Sequence, residues 1–183
     1  MVSLVSIAYL AGFLLLPAEV SAKTPERLFA QLEFLLGDWE AVSATEEGTG
    51  SSSFALELQG RVMVRRNHAE YPAEKGRPAS RHDDLMIISV EEPSGPMRAI
   101  YFDNEGHVIP YVVDAKSGTE VTFVSDVTPK TARYRLTYRL LSENRLSGRF
   151  EIAPPSAPEA FKTYLKWEAR RSGSEVEGAP SDK

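Results

Sequence analysis

From Gly37 onward the chain abandons helical spacing: short stretches rich in Val, Ile, Thr, Tyr and Phe alternate apolar and polar residues. Successive strand residues point to opposite faces, so this alternation describes strands with one dry face and one wet face. Strands are expected at Trp39–Ala44, Ser53–Leu58, Arg61–Tyr71, Asp83–Val90, Arg98–Asp103, His107–Val113, Glu120–Ser125, Ala132–Leu141, Arg145–Ile152 and Phe161–Arg171. The segments between them carry turn chemistry. Glu91-Glu92-Pro93-Ser94-Gly95-Pro96 cannot continue a strand, and Asp103-Asn104-Glu105-Gly106 suits a type I turn with glycine in the left-handed position. Lys116-Ser117-Gly118 and Ser142-Glu143-Asn144 close hairpins, and Pro154-Pro155-Ser156-Ala157-Pro158 is a stiff loop. About ten successive strands with mostly short connections make an up-and-down meander, which avoids exposed edges by closing on itself. The expected fold is all-β: a closed antiparallel up-and-down β-barrel of about ten strands with a short N-terminal helix, spanning residues 23–171 as one domain. A barrel of this size has room for one small ligand.

The helix is expected just before the first strand. Thr24 suits the cap, Pro25 the first helical position and Glu26 the positive end of the dipole. Leu28, Phe29, Leu32, Leu35 and Leu36 form one apolar stripe, and Gly37 stops the helix. Upstream, Val2–Leu16 is an apolar run that Pro17 ends, and Val20-Ser21-Ala22 offers small residues for cleavage before Lys23. The run is shorter than the roughly 20 residues a membrane span needs. Residues 1–22 therefore read as a signal peptide, implying a periplasmic or secreted protein with no stable membrane span after cleavage. Residues 172–183 are polar without an apolar period and read as a flexible tail.

Composition removes whole classes of chemistry. A net charge of −5, with Lys and Arg scattered, does not provide the basic face that a nucleic-acid partner needs. The absence of cysteine excludes disulfides, thiol nucleophiles, iron–sulfur clusters and a lipidated cysteine. There is no G-x-S-x-G, no H-E-x-x-H and no glycine-rich loop entering a helix. Of the three histidines, His68, His82 and His107, none lies in a recognisable haem motif. No cofactor is expected.

Leu36-Gly37-Asp38-Trp39, preceded by a short helix, resembles the G-x-W opening of the calycins, the superfamily of lipocalins and fatty-acid-binding proteins. The resemblance implies that Trp39 packs at the closed end of the barrel under an arginine of the last strand, and Arg171 shares strand parity with Leu165, Trp167 and Ala169. Trp39 and Arg171 are accordingly structural. Tyr101-Phe102-Asp103, Gly106-His107, Tyr111, Arg133–Arg139 and Phe161–Tyr164 are also similar to a bacterial family of unknown function with a lipocalin-like fold. That likeness covers roughly residues 30–171 and implies fold but no activity.

Three constellations could carry chemistry. Across the Asn104–Gly106 loop, Asp103 falls beside His107 and Tyr101 pairs with Ile109, with Tyr111 on the His107 face. An Asp beside a His fixes its tautomer and raises its basicity, so Asp103 and His107 are candidates for acid–base catalysis or ligand orientation. A second cluster joins Arg65-Arg66-Asn67-His68 to Arg81-His82-Asp83-Asp84, with His68 opposite Asp83. Arg65 or Arg66 could hold an anion. His82 and Asp84 share a face suited to a divalent ion, but spacing supplies only two or three ligands, and no metal site is assigned. In the third, Arg133, Arg135, Thr137 and Arg139 share one strand face and Tyr134, Leu136, Tyr138 and Leu140 the other. Apolar inward is the default; an inward Arg135 would call for a bound anion or an acidic partner.

The expected function is binding of a small hydrophobic or amphipathic molecule, a carboxylate being one candidate, at Arg66, His68, Tyr101, His107, Tyr111, Arg135 and Tyr138. Leu56, Met63, Ile88, Phe123 and Phe150 are expected in the wall. The alternatives are an isomerase or hydrolase using His107 and Asp103, and a barrel filled by its own side chains that serves a structural or partner-binding role.

Overall fold

The computed structural model describes residues 28–44, 48–74, 76–91 and 95–173. The expected signal segment 1–22, the capping residues Thr24, Pro25 and Glu26, and the tail from Ser174 onward lie outside the described residues. The strands are β1 (Gly37–Ala44), β2 (Thr49–Glu57), β3 (Val62–Tyr71), β4 (Ser80–Val90), β5 (Met97–Asp103), β6 (Val108–Asp114), β7 (Glu120–Ser125), β8 (Arg133–Ser142), β9 (Arg145–Ala153) and β10 (Lys162–Arg171). Each pairs antiparallel with its sequence neighbours, and β1 also pairs with β10, so the sheet closes into a barrel.

Alternation sets the two faces. Met63 and Arg65 on β3, Asp84, Met86 and Ile88 on β4, Val121 and Phe123 on β7, and Leu136 and Tyr138 on β8 are all buried at two-residue spacing. Phe54, Ala99, Tyr111, Leu146 and Ala169 join the same apolar core. The wall residues Met63, Ile88 and Phe123 are fully buried, and Leu56 and Phe150 pack against them.

One element differs from expectation. The part of the expected helix nearest β1, Ala30–Leu35, is a 3₁₀ helix; Leu28 ahead of it is α-helical, and residues 24–27 lie outside the described residues. Phe29, Leu32 and Leu35 are buried at a spacing of three, which matches three residues per turn, and Leu36 is already extended at φ −56°, ψ 140°. Bonds from Leu32 N to Phe29 O at 2.7 Å and from Leu36 N to Glu33 O at 3.0 Å carry the turn. The helix packs its apolar edge into the same core as Trp39 and so covers the end of the barrel where β1 begins.

Trp39 anchors that end. Its indole Nε1 donates to the Leu35 carbonyl at 2.8 Å, and the Arg171 guanidinium lies 4.3 Å from the ring centroid. Trp39 and Arg171 are register partners across β1 and β10, and Arg171 Nη1 donates to Leu36 O at 2.6 Å. Gly37 has φ +107°, and a Cβ there would stand 2.6 Å from Arg171 Nη1. Glycine therefore serves both the backbone and the arginine's approach.

Candidate functional site

The interior is not uniformly apolar. Arg65 faces inward from the middle of β3, and its Nη1 donates to Asp84 Oδ1 on β4 in an ion pair whose side chains are 5% and 3% exposed. Asp84 Oδ2 also accepts from Asn67 Nδ2 at 2.9 Å, because the β3–β4 register sets Asn67 opposite Asp84. Two residues back on the same face of β4, His82 places Nε2 3.4 Å from Asp84 Oδ2 and 3.0 Å from the Tyr101 hydroxyl. Tyr101 donates to Asp103 Oδ2 at 3.2 Å, and His107 Nδ1 meets the same oxygen at 2.8 Å. His82 Nδ1 lies 3.1 Å from Glu105 Oε1. A continuous polar chain thus runs from the barrel's centre to the β5–β6 hairpin, at the end opposite the helix.

The electrostatics follow from these partners. The hydrogen bond to Asp84, reinforced by Glu105 and opposed by burial, raises the His82 imidazole to about 9. It is therefore protonated at neutral pH, with one N–H for each side of the ring. Burial pulls the Arg65 guanidinium down, but the Asp84 carboxylate beside it outweighs this and holds it above its ordinary value. Burial pushes Asp103 up, yet it lies below its usual range because the His107 backbone N–H, the His107 ring and the Glu105 N–H all donate to it. Those backbone bonds, 2.9 Å from His107 and 3.0 Å from Glu105, make Asp103 the clasp of its own hairpin.

Around the chain stands an aromatic belt. Tyr101 meets Tyr111 edge-on at 6.5 Å, Tyr111 meets Phe123 at 6.4 Å, Phe123 meets Tyr138 at 6.4 Å, and Tyr138 meets Phe54 at 5.5 Å and Trp167 at 5.8 Å. Edge-to-face contacts of this kind hold each ring in place. Burial raises all three tyrosine hydroxyls, Tyr138 to about 12 despite the Arg65 guanidinium beside it. Among the described residues, Arg65 Nε and the Tyr138 hydroxyl of this belt are buried with no acceptor in reach, while the Arg65 guanidinium stands beside the Tyr138 oxygen as a donor. Nearer the hairpin end, Tyr134 and Phe150 stack at 5.9 Å and 8°, and Phe150 meets the exposed Tyr164 edge-on at 6.2 Å.

The structure brings Tyr101, Tyr111 and Tyr138 together inside the barrel and sets His107 and Asp103 side by side at its rim. It does not bring Arg66, His68 or Arg135 into that group. Arg66 lies on the outer face, paired with Glu57 at 2.8 Å, and His68 lies beside it, paired with Asp83 at 2.6 Å and register-opposed to it as expected. The reason is parity. Met63 and Arg66 cannot share a face of an unbulged strand, and it is the Met63 face, carrying Arg65, that turns inward, although Val62 and Val64 lie on the other. Arg135 also faces outward, as the apolar-inward default requires. It donates to Glu151 from Nε at 2.7 Å and Nη2 at 3.0 Å and covers the Phe161 ring at 4.1 Å.

The sequence offered Arg65 only as an alternative to Arg66, named Asn67 and Tyr134 in their clusters without assigning them to the site, and gave Glu105 only as a turn residue. Anchoring β3 on Met63, rather than on Val62 and Val64, would have turned Arg65 and Asn67 inward, opposite Asp84. A groove of about 430 Å³, bordered by Thr137, Arg139, Arg149 and Lys166 on β8, β9 and β10, also touches Gly148 and Trp167. No family model matches the chain, and no curated protein matches it.

Proposed function

We propose that this is an exported, calycin-like barrel that binds one small amphipathic molecule, with a hydrogen-bond-accepting head group against Arg65 and Tyr138 and its apolar part against the aromatic belt. The observation that carries this reading is a pair of buried donors in the middle of the barrel, Arg65 Nε and the Tyr138 O–H, that have no acceptor among the described residues. A buried polar group left unsatisfied costs about 1–3 kcal/mol, and both of these groups can donate, so an acceptor oxygen would satisfy them together. The rings of Tyr111, Phe123 and Trp167 supply the apolar surroundings that ligand-binding barrels offer. The helix covers one end, so entry is from the hairpin end, between the Tyr134–Phe150 stack and the His82–Tyr101–Asp103 chain.

The test is calorimetric titration of the purified protein with dodecanoate and with its methyl ester, which share an acyl chain and an acceptor oxygen but differ in charge. Saturable binding of one molecule per barrel is expected for at least one of them. Arg65→Met combined with Asp84→Leu removes the ion pair without stranding a charge and should weaken that binding at least tenfold. Absence of saturable binding by either probe, or equal binding by the double variant, would contradict the proposal.

A further inference from the structure

The rim cluster does not need the interior reading. His82, Asp103 and Glu105 each offer a ligand atom, and the three atoms lie within 4.8 Å of one another. His107 borders this group, with Nδ1 2.8 Å from Asp103 Oδ2 and 4.0 Å from Glu105 Oε2. In a tetrahedral zinc site with ligand bonds of about 2.0–2.1 Å, neighbouring ligand atoms stand roughly 3.3 Å apart. His82 Nδ1 and Glu105 Oε1 already stand 3.1 Å apart, near that value, with Asp103 within 4.8 Å of both, on a short hairpin and the adjacent strand. We propose that His82, Asp103 and Glu105, with solvent or the neighbouring His107 as the fourth ligand, form a binding site for a divalent transition-metal ion at the open rim of the barrel, the His82 Nδ1 proton leaving to solvent as the ion binds.

Three features support it. First, the donor set is mixed nitrogen and oxygen, which suits zinc or a neighbouring first-row ion rather than calcium or magnesium, both of which prefer oxygen alone. Second, the two nitrogens of His82 are divided between tasks. Nδ1 faces Glu105 at 3.1 Å, while Nε2 faces Tyr101 OH at 3.0 Å and Asp84 Oδ2 at 3.4 Å. A metal-binding histidine characteristically donates its other N–H to a carboxylate that is itself held in place. Asp84 is such a carboxylate, fixed by Arg65 and by Asn67 at 2.9 Å. Third, access is graded. Asp103 and His82 have side chains 4% and 25% exposed, whereas Glu105 and His107 are 59% and 54% exposed, so an ion can enter from solvent on the hairpin side and meet an inner wall already oriented.

The site is tested on the chelator-stripped full chain by calorimetric titration with ZnCl₂ and by the visible absorption of added Co²⁺. One ion bound per chain is expected, with the intense visible bands of four-coordinate cobalt. His82→Ala should weaken Zn²⁺ binding at least tenfold. Glu105→Gln, at an exposed position where folding is not at stake, should weaken it in the same direction and change the cobalt spectrum. Circular dichroism confirms that each variant is folded, and if His82→Ala does not fold, Glu105→Gln and the cobalt spectrum decide alone. No saturable uptake by the wild-type chain, octahedral-type cobalt spectra, or Zn²⁺ binding unchanged in the folded variants would overturn the assignment.

Discussion

Two arginines sit in the barrel in opposite ways. At the helix end, Arg171 lies over the Trp39 ring and donates to the Leu36 carbonyl, so its contacts include an aromatic face and a backbone oxygen. In the middle of the barrel, Arg65 is fully enclosed and depends on one carboxylate, Asp84, which depends in turn on Asn67 and borders His82. The first arrangement closes an end with contacts that each stand alone. The second places a mutually dependent set of charges where water does not screen them, at the root of a polar chain reaching the opposite rim. The helix end is built for packing, and the rest of the interior carries polar groups that packing alone does not require.

The largest break in this comparison is at Asp84. Asp84→Ala leaves Arg65 buried without its counter-charge and should destabilise the protein by about 3–5 kcal/mol in urea denaturation. Arg65→Met with Asp84→Leu should recover most of that loss, because a buried ion pair replaced by apolar groups of similar size is close to neutral. Equal destabilisation by the single and double variants would mean that the pair does not act as a unit.

Next is the aromatic belt. Gly148 is the register partner of Trp167, and a Cβ there would collide with the indole ring. Gly148→Ala should cost about 1–3 kcal/mol and shift tryptophan fluorescence, because Trp167 must leave its contact with Tyr138. At the helix end, Arg171→Met keeps the apolar stem but loses the stacking, worth about 0.5–2 kcal/mol, together with the bond to Leu36. A loss for Arg171→Met equal to that for Asp84→Ala would erase the distinction between the two arginines.

The smallest effect belongs to the outer surface. The hydrogen bond to Asp83, aided by Glu70 and opposed by desolvation, raises His68 above its ordinary value, while the same bond lowers Asp83. Since the folded-state value of His68 is the higher one, its stabilising contribution is fully present below the unfolded value near pH 6.5 and disappears as pH rises through the folded value. Melting temperatures followed from pH 6 to pH 9 should decline, chiefly through His82, whose imidazole is raised to about 9, and His68→Asn should make that decline slightly shallower. An unchanged slope in that variant would assign the whole decline to other groups.

Much of this was legible in the sequence, and what was not has a physical reason. Alternation and turn residues located every strand to within a few positions and set His68 opposite Asp83 and Tyr101 opposite Ile109. Strand pairing leaves the facing of each strand to its apolar residues. On β3 the apolar residues Val62, Met63 and Val64 fall on both faces and the four polar residues Arg65–His68 follow them, so alternation does not reveal the facing. On β8 the apolar set Tyr134, Leu136, Tyr138 and Leu140 is long enough to settle the matter, and Arg135 went outward with it. The 3₁₀ helix was hidden because Phe29, Leu32 and Leu35 fit a three-residue turn as well as an α-helical stripe. The polar chain itself is built from residues distant in sequence, from Arg65 to His107, and appears only when β3, β4 and β5 lie side by side.

Tyr138→Phe tests the central claim most directly, because it deletes one buried donor without an acceptor and leaves the ring in place. The account predicts a protein at least as stable as wild type in urea denaturation, since a buried unsatisfied donor is removed, that binds the amphipathic probe at least several-fold more weakly. A clear loss of stability, or undiminished binding, would contradict it.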